Sequence, residues 1–196
     1  MGKIEVRRLS IEELRADLSG DLVEQWVALT LIAFGEPPWN NNLRILRLTL
    51  GIGIDIMRDN ARAFVARTVS GRHVGHTLGY EVFRVSQRDP QKPSLEEISG
   101  TNAMDYLFGK GRLLYIDTFA VHPGFRRMRL RTGEVGVGER LAEALIESAR
   151  SDGFAGVILR TDIRADPAKK LYAKIGFRDL GIYDVEETSR TYWYLE

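Results

Sequence analysis

The chain has 196 residues, 44% of them hydrophobic, which suits one domain over 1–196 with a core large enough to fold unaided. Twenty-eight basic residues against 27 acidic ones leave a net charge of +1, so no global field recruits nucleic acid or an anionic membrane. With no cysteine, a disulfide framework, a thiolate metal site and a cysteine nucleophile are excluded, and no metal is expected. The opening MGKIEVRRLS lacks the apolar stretch of a signal peptide, and the most apolar region, Leu43 to Met57, is broken by Arg44, Arg47 and Asp55, so no membrane span is expected. The sequence reads as a soluble, cytoplasmic protein.

Residues 3–9 read as a short strand, and Ser10 followed by Glu13 forms a capping box that opens a helix running to about Phe34. GEPPW stops it. Over 41–58 the residues Leu43, Leu46, Leu50, Ile54 and Met57 fit a helical stripe, while Leu48, Leu50, Ile52, Ile54 and Ile56 alternate as in a strand; helix is the expectation, despite Gly51 and Gly53. ARAFVARTV (61–69) and HVGHTLGYEVFRV (73–85) form a hairpin around SGR. Residues 86–110 are polar and irregular. RLLYIDTFAV (112–121) is a strand ended by HPG, and an arginine-rich connection (125–131) leads to RTGEVGVGERL and a helix to about Asp152. A strand at 156–162, a helix at 166–175 and strands at 177–184 and 190–195 close the chain. The order predicts an α/β (α+β) domain: a mixed sheet of about seven strands covered by helices.

A glycine-rich turn between a strand and a helix N-terminus offers free N–H groups and about half a positive charge to a phosphate or pyrophosphate. Gly136 and Gly138 let a bulky group come close. A P-loop would need Lys and Ser/Thr where Glu139 and Arg140 stand, and a dinucleotide fingerprint would need glycine at Leu141. A glycine-rich loop without a ligand remains open on this stretch alone.

FAVHPGFR (119–126), GVGERLAEALIESARSDGF (136–154), LRTD (159–162) and AKKLYAKIGF (168–177) together resemble the GCN5-related N-acetyltransferases (GNAT), which bind acetyl-CoA. The resemblance implies a mostly antiparallel sheet with a splayed cofactor cleft. It puts the pyrophosphate turn at Arg131, Gly133, Val135, Gly136, Val137 and Gly138. It also implies that main-chain groups of Phe119, Ala120 and Val121 bind the pantetheine and polarise the thioester carbonyl, which requires unpaired N–H groups and hence separation from the strand at 156–162. Thr161 would line that split. The chain departs from the pattern in two ways. Twelve residues separate Pro123 from Gly136, more than the family's usual spacing, and Gly133 stands where the family has Arg or Gln, leaving Arg131 as the nearest arginine. Ala165 replaces an Asn that often neighbours the pantetheine.

Acetyl transfer from a thioester to an amine needs a neutral amine, a polarised carbonyl and a proton for the thiolate. An amine of pKa about 10.4 is neutral in roughly one molecule in 2,500 at pH 7, a handicap near 4.6 kcal/mol. A base therefore matters. Asp117, inside an apolar strand, reads as a general base, direct or through water, or as a hydrogen-bonded edge acid. Glu81 is the second strand acid, for base or acceptor binding. His76, within a strand, is a further base candidate, while His73 lies at a turn and His122 at a strand end. The resemblance makes Tyr172 the general acid; by its position alone it is a core aromatic beside the stripe Ala168, Leu171 and Ile175. Arg126, Arg127, Arg129 and Arg131 form a basic cluster, either solvated or phosphate-binding. PPW (37–39) resembles an element near the acceptor in some members, although Asn41 stands where those have Glu.

The expected activity is N-acetylation of a primary amine, small molecule or peptide, by direct attack, with acetyl-CoA as cosubstrate; a homodimer is left open. A catalytically silent CoA-binding module is the rival reading, and a nucleotide-binding protein the weaker one.

Overall fold

A period of two runs through Arg62–Thr68 (β2): Phe64 and Ala66 enter one apolar cluster while Ala63 and Val65 enter another. A strand buried on both faces needs cover on both, and helices supply it. The computed structural model describes residues 3–17, 20–37, 45–58, 60–82, 107–126, 128, 135–184 and 188–196. Around β2 the elements are Ile4–Leu9 (β1), Ile11–Ala16 (α1), Asp21–Phe34 (α2), Ile45–Ile56 (α3), His73–Val82 (β3) and Leu113–Val121 (β4). Then come Val137–Ser151 (α4), Gly156–Asp162 (β5), Asp166–Ile175 (α5), Arg178–Tyr183 (β6) and Arg190–Leu195 (β7).

The described strands form one seven-stranded sheet in the order β1-β2-β3-β4-β5-β7-β6. Every neighbouring pair is antiparallel except β4 with β5. On one face α4 lays Val137, Leu141, Leu145 and Ala149 on Phe64, Val74, Leu114 and Ile116; each buried leucine is worth about 1.5–3 kcal/mol. Gly75 lets the helix come this close, because a Cβ there would stand 2.8 Å from Leu141 Cδ1. On the other face Leu14, Val23, Trp26, Val27, Ile52 and Ile56 of α1–α3 cover Ala63, Val65 and Leu78.

The single helix expected from Ser10 to Phe34 is two helices. The capping box at Ser10 and Glu13 forms, but α1 ends at Ala16, and Asp17 turns its carboxylate to the amides of Leu22 (2.7 Å) and Val23 (3.4 Å) at the start of α2. A side chain that caps the next helix ends the previous one. The helical reading of 41–58 holds over Ile45–Ile56; 41–44 and 83–106 lie outside the described residues. The strand at 156–162, the helix at 166–175 and the last strand match their expected bounds. Gly176, at φ 106°, stops α5 in the left-handed conformation that glycine adopts without strain.

Candidate active site

β4 and β5 pair from Leu113–Gly156 to Ile116–Leu159 and then part. Beyond that point Thr118 to Val121 pair only with β3, while Arg160 to Asp162 pair only with β7. The parting begins at a bulge. Leu78 faces Thr118 and Gly79 faces Ile116, so Asp117 is the extra residue on β4, and a bulge of this kind re-aims a side chain and twists the strand away.

The gap opens into a cavity of about 1060 Å³ that also takes in α2, α3, the start of α4 and α5. Of the site residues expected from sequence, Asp117, Phe119, Ala120, Val121, Val135, Gly136, Gly138, Thr161 and Tyr172 line it. Val137 does not; its side chain is fully buried in the core beneath α4. Arg131, Gly133, Arg127, Arg129, Trp39 and Asn41 lie outside the described residues.

Gly136 caps α4 with extended backbone and no side-chain cap among the described residues, which leaves the first-turn amides to a ligand as far as those residues go. A Cβ at Gly138 would press on Leu171 Cδ2 (3.2 Å), Phe119 Cε1 (3.6 Å) and Val121 Cγ2 (3.6 Å), whereas at Gly136 only Met128 O lies within 4 Å, at 3.9 Å. Glu139, the acid of that first turn, is drawn aside by Lys174 Nζ at 2.6 Å. An uncovered strand edge, an uncapped helix start and two glycines at the turn are the features that a pantetheine arm and a pyrophosphate require.

Tyr172 is packed edge-on by Phe119 and Phe177 and tilted against Trp193. It is 7% exposed, and its hydroxyl has no hydrogen-bond partner among the described residues. Burial pushes its pKa above the usual phenol value, so it carries its proton throughout the physiological range. Across the cavity Asp117 accepts from Tyr80 Oη (3.4 Å) and Thr118 Oγ1 (3.1 Å).

Glu81 does not belong to this cavity. Arg112 donates to its two oxygens from Nε (3.0 Å) and Nη2 (2.7 Å), and Asn60 Nδ2 adds a third hydrogen bond at 2.6 Å. It is a sheet-end ion pair, and the expectation that it serves as base or acceptor residue is withdrawn on that geometry. His76 is also away from the cavity wall: it is fully buried, stacked on Trp26, and hydrogen-bonded to His73 and Thr30. Arg126 lines the cavity but is committed, donating to Val121 O, Ala33 O and Glu36, so it ties the end of β4 to the end of α2.

Asp55 is the residue that sequence reading missed. It lies on α3, 8% exposed, and lines the cavity with Leu48, Gly51 and Ile52. These positions follow the helical spacing of three and four. A lone acid on that stripe was the available signal, but while 41–58 could be read as either helix or strand, its face was undetermined.

A family model for the acetyltransferase (GNAT) family matches residues 26–177. The chain belongs to that family and is an acetyltransferase with acetyl-CoA as its cosubstrate. No curated protein matches the chain. Among solved structures, PH1933 from Pyrococcus horikoshii aligns with TM-score 0.64 at 13% identity over 98% of this chain and 97% of that one. The aminoglycoside N-acetyltransferase AAC(6')-Iy, solved with CoA, aligns at 0.59 and 13% over 91% and 90%. NAA60 of Arabidopsis thaliana, solved with acetyl-CoA, aligns at 0.55 and 14% over 98% of both chains. At these identities the likeness is one of fold. Among the described residues no helix is long and apolar enough to cross a membrane, and no cluster of His, Cys, Asp or Glu suits a metal ion.

Proposed function

We propose that the protein acetylates a primary amine by direct attack of the amine on acetyl-CoA. The observation that carries this reading is that the parting of β4 and β5 opens one cavity onto both Asp117 and the hydroxyl of Tyr172, which has no hydrogen-bond partner among the described residues. Main-chain groups of Phe119, Ala120 and Val121 hold the pantetheine and the thioester carbonyl along the free strand edge. Gly136 and Gly138 admit the pyrophosphate to the start of α4, where free amides meet its charge. Asp117, turned into the cavity by the bulge, takes the proton that the acceptor nitrogen must lose. Tyr172 gives its proton to the departing thiolate. No cysteine exists to carry the acetyl group, which favours a ternary complex over a covalent relay. The aminoglycoside acetyltransferases among its fold relatives make a small-molecule amine a natural acceptor.

A thiol-release assay with acetyl-CoA over a panel of primary amines tests the reading. Amine-dependent release in the wild type, reduced by about 10²-fold or more in Asp117→Asn, is the expected result. Tight acetyl-CoA binding with no amine-dependent release would make the protein a CoA-binding module.

A further inference from the structure

Asp55 and Asp117 line the same cavity from different elements, α3 and the bulge of β4, and are linked through Arg58 and Tyr80. Among the described residues Arg126, Arg160, Lys174 and Arg190 also line the cavity, with Arg126 held by Glu36, Arg160 by Asp184 and Lys174 by Glu139. Arg58, one turn beyond Asp55 at the end of α3, donates Nε to Asp55 Oδ1 at 2.7 Å. Its guanidinium lies 4.5 Å from the ring centre of Tyr80 on β3, and the Tyr80 hydroxyl reaches Asp117. From α1, Arg15 Nη2 contacts only the carbonyl of Ile56 at 3.4 Å. Among the described residues Arg58 is the guanidinium that pairs with Asp55. Thr161 and Tyr172 are an independent mark of a ligand: both are more than nine-tenths buried and line the cavity, with hydroxyls that have no partner among the described residues.

We propose that Asp55 is the second carboxyl of the acceptor subsite: with Asp117 it binds the acceptor as an alkylammonium ion and shares the proton that the nitrogen sheds before attack. This rests on the transfer reaction proposed above. The apolar neighbours Leu48 and Ile52 on α3 and Ala33 on α2 suit an aliphatic body behind that nitrogen. Burial, and next the charge of Asp117, push the Asp55 carboxyl up to about 7 against the opposing pull of Arg58. The pair therefore acquires its second negative charge near neutrality and is matched to a proton-bearing nitrogen.

The protons balance. The ammonium gives one to the carboxyl pair, and the neutral amine then forms its bond to the acetyl carbon as the bond to sulfur breaks. The thiolate takes the Tyr172 proton, Tyr172 is replenished by the second proton of the former amine, and the pair returns its own to solvent. The products are amide, CoA thiol and one free proton.

The test uses the full-length protein and three measurements. Inhibition by an N,N-dimethylalkylammonium ion, which keeps the charge but cannot be acetylated, is compared with that by the neutral alcohol of the same carbon skeleton; the ion should compete with the acceptor about tenfold or more better. Asp55→Asn should raise KM for alkylamine acceptors about tenfold or more, leave acetyl-CoA affinity unchanged, and leave KM for a weakly basic arylamine in place. In the wild type kcat/KM for the alkylamine should rise with pH through about 7, and Asp55→Asn should lose that limb while Asp55→Glu recovers it. Equal inhibition by ion and alcohol, or an Asp55→Asn enzyme with the wild-type pH profile and amine preference, overturns the proposal. If Asp55→Asn does not fold, the ion-against-alcohol comparison on the wild type decides. Absence of thiol release with every amine would instead defeat the transfer reaction itself.

Discussion

Phe119 and Tyr172 meet edge to face with ring centres 6.3 Å apart, one from β4 and one from α5, on the two sides of the parted strands. Because the contact is made by the rings, Tyr172→Phe removes one oxygen and keeps the packing. Acetyl-CoA affinity should hardly change, while the single-turnover rate should fall about 10²-fold or more if the hydroxyl protonates the thiolate. Loss of an ordinary neutral hydrogen bond costs only about 1 kcal/mol. A Phe variant as fast as wild type in single turnover would end the acid role.

Gly138→Asp drives a side chain against Leu171, Phe119 and Val121 and puts a negative charge where the pyrophosphate is proposed to sit. Gly136→Asp adds the charge with more room. Both should weaken acetyl-CoA by about tenfold or more, with Gly136→Asp the less disturbed in stability. Calorimetric titration of the folded variants checks this, and unchanged dissociation constants would move the phosphates elsewhere.

Glu81→Gln should be a stability variant. It breaks a carboxylate held by two Arg112 nitrogens and Asn60 at the end of β3, which should cost on the order of 1–3 kcal/mol in chemical denaturation. The rate per folded molecule should stay at the wild-type value. A large fall in kcat without loss of stability would return Glu81 to the chemistry.

The pH dependence of stability has two opposing contributions. Burial, with the charge of Arg67 second, holds His73 down at about 4, and burial with the neighbouring His73 holds His76 well below its ordinary 6.5. As pH falls below 6.5 the unfolded chain binds protons that the folded one refuses, so stability falls by up to about 1.4 kcal/mol per pH unit for each histidine. Asp55 works the other way: folded, it keeps its proton to about 7, against 3.8 ordinarily, so its contribution falls as pH rises through that window. One carboxyl offsets only one of the two histidines, so wild-type stability should still fall toward acid by up to about 1.4 kcal/mol per pH unit below 6.5, and Asp55→Asn should steepen that loss to up to about twice as much. Parallel profiles for the two proteins would refute the assignment.

The sheet and the glycine-turn side of the cavity were legible because their signals are local. The glycines of the turn, the alternation in 113–121 and the start of a helix at Asp166 each depend on neighbours in sequence. The side lined by α3 and the bulge was not, because its residues are brought together by tertiary packing. Asp55 becomes a cavity residue only once 45–56 is a helix laid against β3 and β4, and the aim of Asp117 depends on a bulge created by the register with Leu78 and Gly79. Glu81 misled for the same reason: the strand was correctly located, but nothing in it revealed Arg112 across the sheet. The break after Ala16 was hidden in Asp17, whose side chain caps a helix that begins four residues later.

The parallel join between β4 and β5 ends at Ile116 and Leu159, so the sheet is stitched at one end and free at the other. β1 to β4 form one leaf and β5, β7 and β6 the other, with the pairing from Leu113 to Ile116 as the spine between them. A cosubstrate seated in the open end, as proposed above, would touch both leaves and restrain their opening angle. The amide of Asp162, on the side of β5 that faces away from β7, is where slowed hydrogen exchange on CoA binding would register that restraint.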